Sequence, residues 1–215
     1  MVCLVVAGCA ERPDAADAPA SAAGKDTPTA ARATILMIGT SLTAGYGLDP
    51  DQAWPALVQE KVDSAGLPFR VVNAGVSGET SAGARRRLGW LLQQELPRIV
   101  VLETGANDGL RGQSLDSLEA NLGAILAELA ALQPPPRVFV AGMEALPNLG
   151  REYTNRFRAL FPRVARAHGA DYLPFLLEGV AGNARFNQAD GIHPNAEGSR
   201  VIAEHVWREL LPALQ

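Results

Sequence analysis

Ser41, Gly78, Asn107, Asp190 and His193 are the residues of this 215-residue chain whose types and settings could do chemistry together. They lie in four short segments: Gly39-Thr40-Ser41-Leu42, Gly75-Val76-Ser77-Gly78-Glu79-Thr80, Gly105-Ala106-Asn107-Asp108 and Asp190-Gly191-Ile192-His193-Pro194. A serine hydroxyl is a poor nucleophile at neutral pH, so a base must take its proton as it attacks a carbonyl. His193 offers that base. Asp190 stands close enough in sequence to accept from the imidazole Nδ1–H, which fixes the tautomer and favours the imidazolium formed during attack. The oxygen that turns negative in the tetrahedral intermediate needs preset donors. The backbone N–H of Ser41, that of Gly78 and the side-chain amide of Asn107 can supply them. Asp108 is read as a brace for its loop, since an acid beside an oxyanion would oppose the developing charge.

Positioning such groups requires strand ends that meet at one edge. Ile35-Leu36-Met37-Ile38, Phe69-Arg70-Val71-Val72-Asn73 and Arg98-Ile99-Val100-Val101-Leu102 are short, largely apolar runs that end just before the first three segments, and each reads as a strand. Val138 to Ala141 and Asp171 to Pro174 read as two more. Between them, helical spacing marks Trp54 to Val62 after a start at Asp49-Pro50-Asp51, Ser81 to Glu95, Leu115 to Leu132 and Arg151 to His168. A closing helix carries Val201, Ile202, His205, Val206 and Leu210. Strand and helix alternate throughout. The layout predicts an α/β fold, a three-layer α/β/α sandwich with a five-stranded parallel sheet and right-handed crossovers, whose chemistry sits at the carboxyl edge.

With these segments in this order, the chain resembles the SGNH, or GDSL-type, hydrolases, named for the Ser, Gly, Asn and His that map here onto Ser41, Gly78, Asn107 and His193. The resemblance runs from about Thr34 to the C-terminus. It is strongest to the bacterial arylesterase, thioesterase I and lysophospholipase L1 branch, through Ser41-Leu42-Thr43-Ala44-Gly45-Tyr46, Asn107-Asp108-Gly109-Leu110-Arg111-Gly112 and Asp190-Gly191-Ile192-His193-Pro194-Asn195. It implies a flavodoxin-like SGNH fold, a catalytic triad of Ser41, Asp190 and His193, and an oxyanion hole of Ser41, Gly78 and Asn107. Thr40 stands where the family usually has Asp, and Ala106 where Gly is common. Neither position supplies a triad member in the family.

His168, at a helix end, and His205, on a core-facing stripe, are read as structural. The histidines show no metal-ligand spacing and no Gly-rich loop ends in Gly-Lys-Ser/Thr, so no metal, nucleotide or other cofactor is indicated. Arg85, Arg86 and Arg87 point in different directions on a helix and read as a solvated face. Met143, Glu144 and Leu146 follow the fourth strand on the catalytic edge and are candidates for substrate contact. The net charge of −4 gives no basic footprint for nucleic acid.

Both cysteines, Cys3 and Cys9, precede the domain, so the folded part holds no internal disulfide. Val6-Ala7-Gly8-Cys9 resembles the lipobox at which bacterial lipoproteins are cut and lipidated, although no Lys or Arg precedes the apolar residues. Residues 10–33 are dominated by small and polar types and read as a flexible tether. The expected organisation is therefore a lipoprotein-signal-like segment over 1–9, a tether over 10–33 and a single hydrolase domain over 34–215. The expected location is the bacterial periplasm, anchored to the outer membrane through a lipidated Cys9; the sequence leaves oligomeric state open.

The expected function is a serine esterase acting through an acyl-enzyme on aryl or short-to-medium acyl esters, with thioesters and lysophospholipids as close alternatives. The partner is then a small ester or lipid. Two rivals are a carbohydrate O-acetyl esterase on the same residues and a non-catalytic, membrane-tethered binding domain.

Overall fold

The computed structural model describes residues 32–215. The readings for the Cys9 segment and nearly all of the tether lie outside them. Five strands, β1 (Ala33–Gly39), β2 (Phe69–Gly75), β3 (Pro97–Leu102), β4 (Arg137–Gly142) and β5 (Asp171–Phe175), form one parallel sheet in the order β2-β1-β3-β4-β5. β1 begins at Ala33, the last residue of the stretch read as tether. Arg32, just before it, pairs with Asp63.

Helices cover both faces. α2 (Trp54–Ser64) packs against α7 (Ala196–Leu214), while α3 (Ser81–Gln94), α5 (Leu115–Ala130) and α6 (Arg151–Ala167) form a contiguous set. Two one-turn helices, α1 (Ser41–Ala44) and α4 (Ala106–Leu110), follow β1 and β3 directly. Because β1 and β3 are sandwiched on both sides, their apolar runs are continuous rather than alternating. Ile35, Leu36, Met37 and Ile38 and their neighbours Val100, Val101 and Leu102 are almost completely buried. Each such side chain contributes about 1.5–3 kcal/mol by burial. Phe157, Leu160, Phe161 and Val164 form the inner stripe of α6, as the spacing predicts.

Three local readings change. Asp49-Pro50-Asp51 introduces a 3-10 turn over Pro50–Gln52 rather than α2, which starts at Trp54 with Pro55 in its first turn. Leu92 is only half-buried, leaving Ala84, Leu88 and Leu91 as the inner face of α3. Arg87 is not on a solvated face. It turns inward and binds Glu79 through two hydrogen bonds, while Arg85 and Arg86 stay exposed. Three consecutive helix positions span most of a turn, so one of them can face inward.

The order β2-β1-β3 reverses the winding of the chain at β1. The crevice between the carboxyl ends of β1 and β3 is the switch point at which open α/β sheets bind ligands.

Candidate active site

The turn after β1 is built for close approach. A Cβ on Gly39 would fall 2.6 Å from Glu103 Oε2 and nearer still to Thr43 Oγ1, so only glycine fits there. Thr40 caps α1, its side chain accepting from Leu42 N–H at 3.4 Å, and Gly45 at φ +73 ends the helix after one turn. Ser41 is thus the first residue of a helix. Its N–H donates to no protein acceptor among the described residues, as expected where a helix begins.

His193 reaches Ser41 from the far end of the chain. Its Nε2 lies 3.0 Å from Ser41 Oγ, and its Nδ1 lies 2.6 Å from Asp190 Oδ2. With Nδ1 carrying the proton shared with Asp190, Nε2 is left to accept from the serine hydroxyl. The other carboxylate oxygen, Oδ1, accepts the N–H groups of Ile192 and His193, each at 3.0 Å. These contacts, chiefly the His193 N–H and then its ring, hold the Asp190 carboxyl down to about 2. The loop is itself held: Gln188 donates from Nε2 to Tyr46 O (2.6 Å) and Pro194 O (2.9 Å), and Asn195 caps α7 by accepting from Glu197 and Gly198 N–H, both at 3.0 Å. The Tyr46 ring lies 4.7 Å from the His193 ring, centroid to centroid.

Asn107, in α4, is 9 % exposed and donates from Nδ2 to Glu79 O at 2.9 Å, leaving its second amide hydrogen free to point elsewhere. That bond joins the third segment to the second. Gly78, immediately before Glu79, has φ +78, an N–H with no protein acceptor among the described residues, and a carbonyl that accepts from Arg111 at 3.1 Å. Asp108 braces α3 rather than a loop of its own: from within α4 its carboxylate accepts both the N–H (2.9 Å) and the hydroxyl (2.6 Å) of Ser81, the first residue of α3.

Ser41, Asn107 and His193 line a cavity of about 360 Å³. Met143, Glu144 and Leu146 line it as well, with Met143 buried at its wall and Glu144 paired to Arg158 at 3.4 Å. The opposite wall was not legible in the sequence. It consists of Phe175 at the end of β5 and Leu177, Ala181 and Gly182 after it, with Ile192 beside His193. Gly78 does not line this cavity. A more open groove of about 590 Å³ between α2 and α7 holds none of the site residues. His205 is buried in the core with its Nδ1 unpartnered among the described residues, and His168 caps the end of α6, so neither reaches the site.

Residues 37–201 match the GDSL-like lipase/acylhydrolase family. The chain belongs to that family. Within it, the chain is similar to esterase TesA of Pseudomonas aeruginosa, 41 % identical over 188 residues that cover 87 % of this chain and 92 % of that protein. It is also similar to thioesterase 1/protease 1/lysophospholipase L1 of Escherichia coli K12, 39 % identical over 183 residues, covering 85 % of this chain and 86 % of that protein. Among solved structures, the psychrotrophic esterase EstA from Pseudoalteromonas sp., inhibited by monoethylphosphonate, aligns with a TM-score of 0.80 at 34 % identity, over 84 % of this chain and 98 % of that one. This GDSL-family chain is a serine ester hydrolase on an SGNH fold.

Proposed function

We propose that this GDSL-family hydrolase cleaves carboxylic esters of short-to-medium acyl chains by an acyl-enzyme route in which Ser41 is the nucleophile, His193 the base and Asp190 its orienting carboxylate. Ser41 Oγ attacks the carbonyl carbon as its proton passes to His193 Nε2. The oxyanion is held by the Ser41 N–H, the Gly78 N–H and the free Asn107 amide hydrogen. His193 then protonates the departing oxygen or sulfur, the acyl group stays on Ser41, and a water activated by the same imidazole releases the acid. The observation that carries this reading is the Asp190–His193–Ser41 relay opening directly into an apolar cavity walled by Met143, Leu146, Phe175, Leu177 and Ile192.

That wall also favours an acyl chain over a sugar ring, since among the described residues Glu144 is the one carboxylate that lines it. Aryl esters, thioesters and lysophospholipids share the carbonyl chemistry, and the name of the E. coli relative supports the latter two. Thr40, which stands where the family usually has Asp, sits in a hydrogen-bond network with Glu103 and Thr43 next to the nucleophile and so gives no support to the non-catalytic rival. Lipidation at Cys9 and an outer-membrane location are part of the same proposal and rest on Val6-Ala7-Gly8-Cys9.

The test is a series of nitrophenyl esters from acetyl to lauroyl, run with the wild type and with Ser41→Ala. Turnover should peak at a short or medium chain and fall on the order of 10³-fold or more in the variant, with an organophosphonate labelling Ser41 alone. Activity confined to acetylated glycans would favour the rival esterase. Cell fractionation and mass spectrometry of the protein and its Cys9→Ala variant test the anchor.

A further inference from the structure

Glu103 takes no part in the steps above, yet it lies directly beneath them. It follows the last residue of β3, is 0 % exposed, and extends the sheet through its N–H to Ile38 O at 2.8 Å. Its Oε2 accepts from the Thr40 N–H at 2.7 Å and from Thr43 Oγ1 at 2.8 Å, and Thr40 Oγ1 lies 3.0 Å from both carboxylate oxygens. Thr40 precedes Ser41 and Thr43 follows it within the same helical turn, so one buried side chain grips α1 on either side of the nucleophile in the chain.

Among the described residues no charged group pairs with it. β1 and α1 face the Glu103 carboxyl with the Thr40 and Thr43 N–H groups and the two threonine hydroxyls. Arg87 of α3 reaches Gly39 O at 3.5 Å, but its guanidinium is committed to Glu79 and Ala74 O. Around the site, Asp108 is held by Ser81, and Asp190 and His193 hold each other. Arg137, the ionisable residue of β4, sits at the strand's other end, paired with Asp171. Burial pushes the Glu103 carboxyl up from 4.5 to about 7, against the pull of the Thr40 and Thr43 hydrogen bonds. The folded state therefore binds this proton more tightly than the unfolded chain does. The resulting stabilisation is full below about 4.5 and is lost as pH rises through about 7. Above that pH the ionised carboxylate costs stability, while every donor around it is arranged to suit that form.

We propose that Glu103 is a positioning residue for the reaction: its carboxylate, holding Thr40 and Thr43, fixes the Ser41 hydroxyl and N–H for attack, and turnover is full only when that carboxylate is ionised. Protonation turns one acceptor oxygen into a donor, so a threonine hydroxyl must turn away and the turn loosens. A small misplacement of a nucleophile is costly, because attack needs near-contact alignment. The inference rests on the serine mechanism above.

The experiment measures kcat and KM for a nitrophenyl ester from mildly acidic to mildly alkaline pH, together with the rate of Ser41 phosphonylation and the Tm, for the wild type, Glu103→Gln and Thr43→Val. Glutamine keeps an acceptor for the Thr40 N–H but cannot ionise. Glu103→Gln should keep a Tm at or above that of the wild type at alkaline pH. It should lower kcat and phosphonylation roughly 10-fold with KM within about twofold. The inflection that the Glu103 carboxyl adds to the wild-type kcat profile near pH 7 should be absent in Glu103→Gln. Thr43→Val removes a donor to the carboxylate and should move its inflection up by roughly half a pH unit or more. Wild-type kcat and an unchanged profile in Glu103→Gln, or a kcat loss that merely follows a loss of Tm with the profile unchanged, overturns the proposal. If Glu103→Gln does not fold, an unmoved inflection in Thr43→Val overturns it. Turnover that survives Ser41→Ala would instead remove the serine mechanism itself.

Discussion

Arg87 holds Glu79 with two parallel hydrogen bonds, Nε to Oε1 and Nη2 to Oε2, both 2.7 Å, and the same Nη2 donates to Ala74 O at 2.6 Å. The fork staples the loop that carries Gly78 to the end of β2. Both side chains are largely shielded, 19 % and 8 % exposed, so the pair is screened less than a surface bridge.

Arg87→Met should therefore cost stability, on the order of 1–3 kcal/mol, because it leaves the Glu79 carboxylate without its partner. It should also lower kcat several-fold, because Glu79 O is what holds Asn107 and Gly78 is the adjacent residue. Arg87→Lys should rescue only part of either effect, since an ammonium cannot reproduce the fork. Thermal melts with steady-state kinetics check this. A variant with wild-type Tm and kcat would show that the loop needs no staple.

Asn107→Ala should lower kcat by roughly 10²-fold and leave KM nearly unchanged, because its free amide hydrogen acts on charge that appears only in the transition state. An effect seen in KM alone would place the residue in ground-state binding.

The hydrogen bonds to Asp190 set a pH expectation. Its carboxyl is lowered from 3.8 to about 2, so the contribution of these contacts is present above 3.8 and is lost as pH falls from there through about 2. A ¹³C carboxyl signal from Asp190 should still report the ionised form at 3.8, where a free aspartate is half protonated. The group is well exposed to solvent, so the effect on global stability is small. Its effect on chemistry is not: Asp190→Asn should reduce kcat on the order of 10³–10⁴-fold by presenting the wrong imidazole tautomer to Ser41. A loss of less than tenfold would make Asp190 a loop brace only.

The cavity should set chain length. Ala145 lines it between Glu144 and Leu146, and is half-buried. Ala145→Leu should shorten the longest well-accepted acyl chain by about two methylenes, each worth about 0.8 kcal/mol when buried, while acetyl ester turnover stays near wild type. The same ester series measures it. An unchanged optimum would place the acyl chain elsewhere.

What the sequence determined by itself is whatever short-range physics dictates. Uninterrupted apolar runs such as Ile35 to Ile38 require burial on both faces, which already selects a parallel sheet between helix layers. Gly39, Gly78 and Gly105 mark where strands give way to functional turns. Asp190 and His193 are near enough in the chain to pair in almost any compact loop. The tertiary structure decided what depends on contacts between distant residues. Ser41 and His193 stand 152 positions apart, and only the sheet order and the Gln188 and Asn195 anchors bring them to 3.0 Å. Arg87 looked like one of three solvated cations because helix periodicity shows which way a side chain points, not that an acid from another loop waits there. Glu103 left one faint signal, an acid directly after an apolar strand. Its role depends on Thr40 and Thr43, which reach it only because β1 and β3 lie side by side. The second wall of the cavity, from Phe175 to Gly182, had no local mark at all, because a loop's side chains line a pocket only once the rest of the fold has placed a pocket beside them.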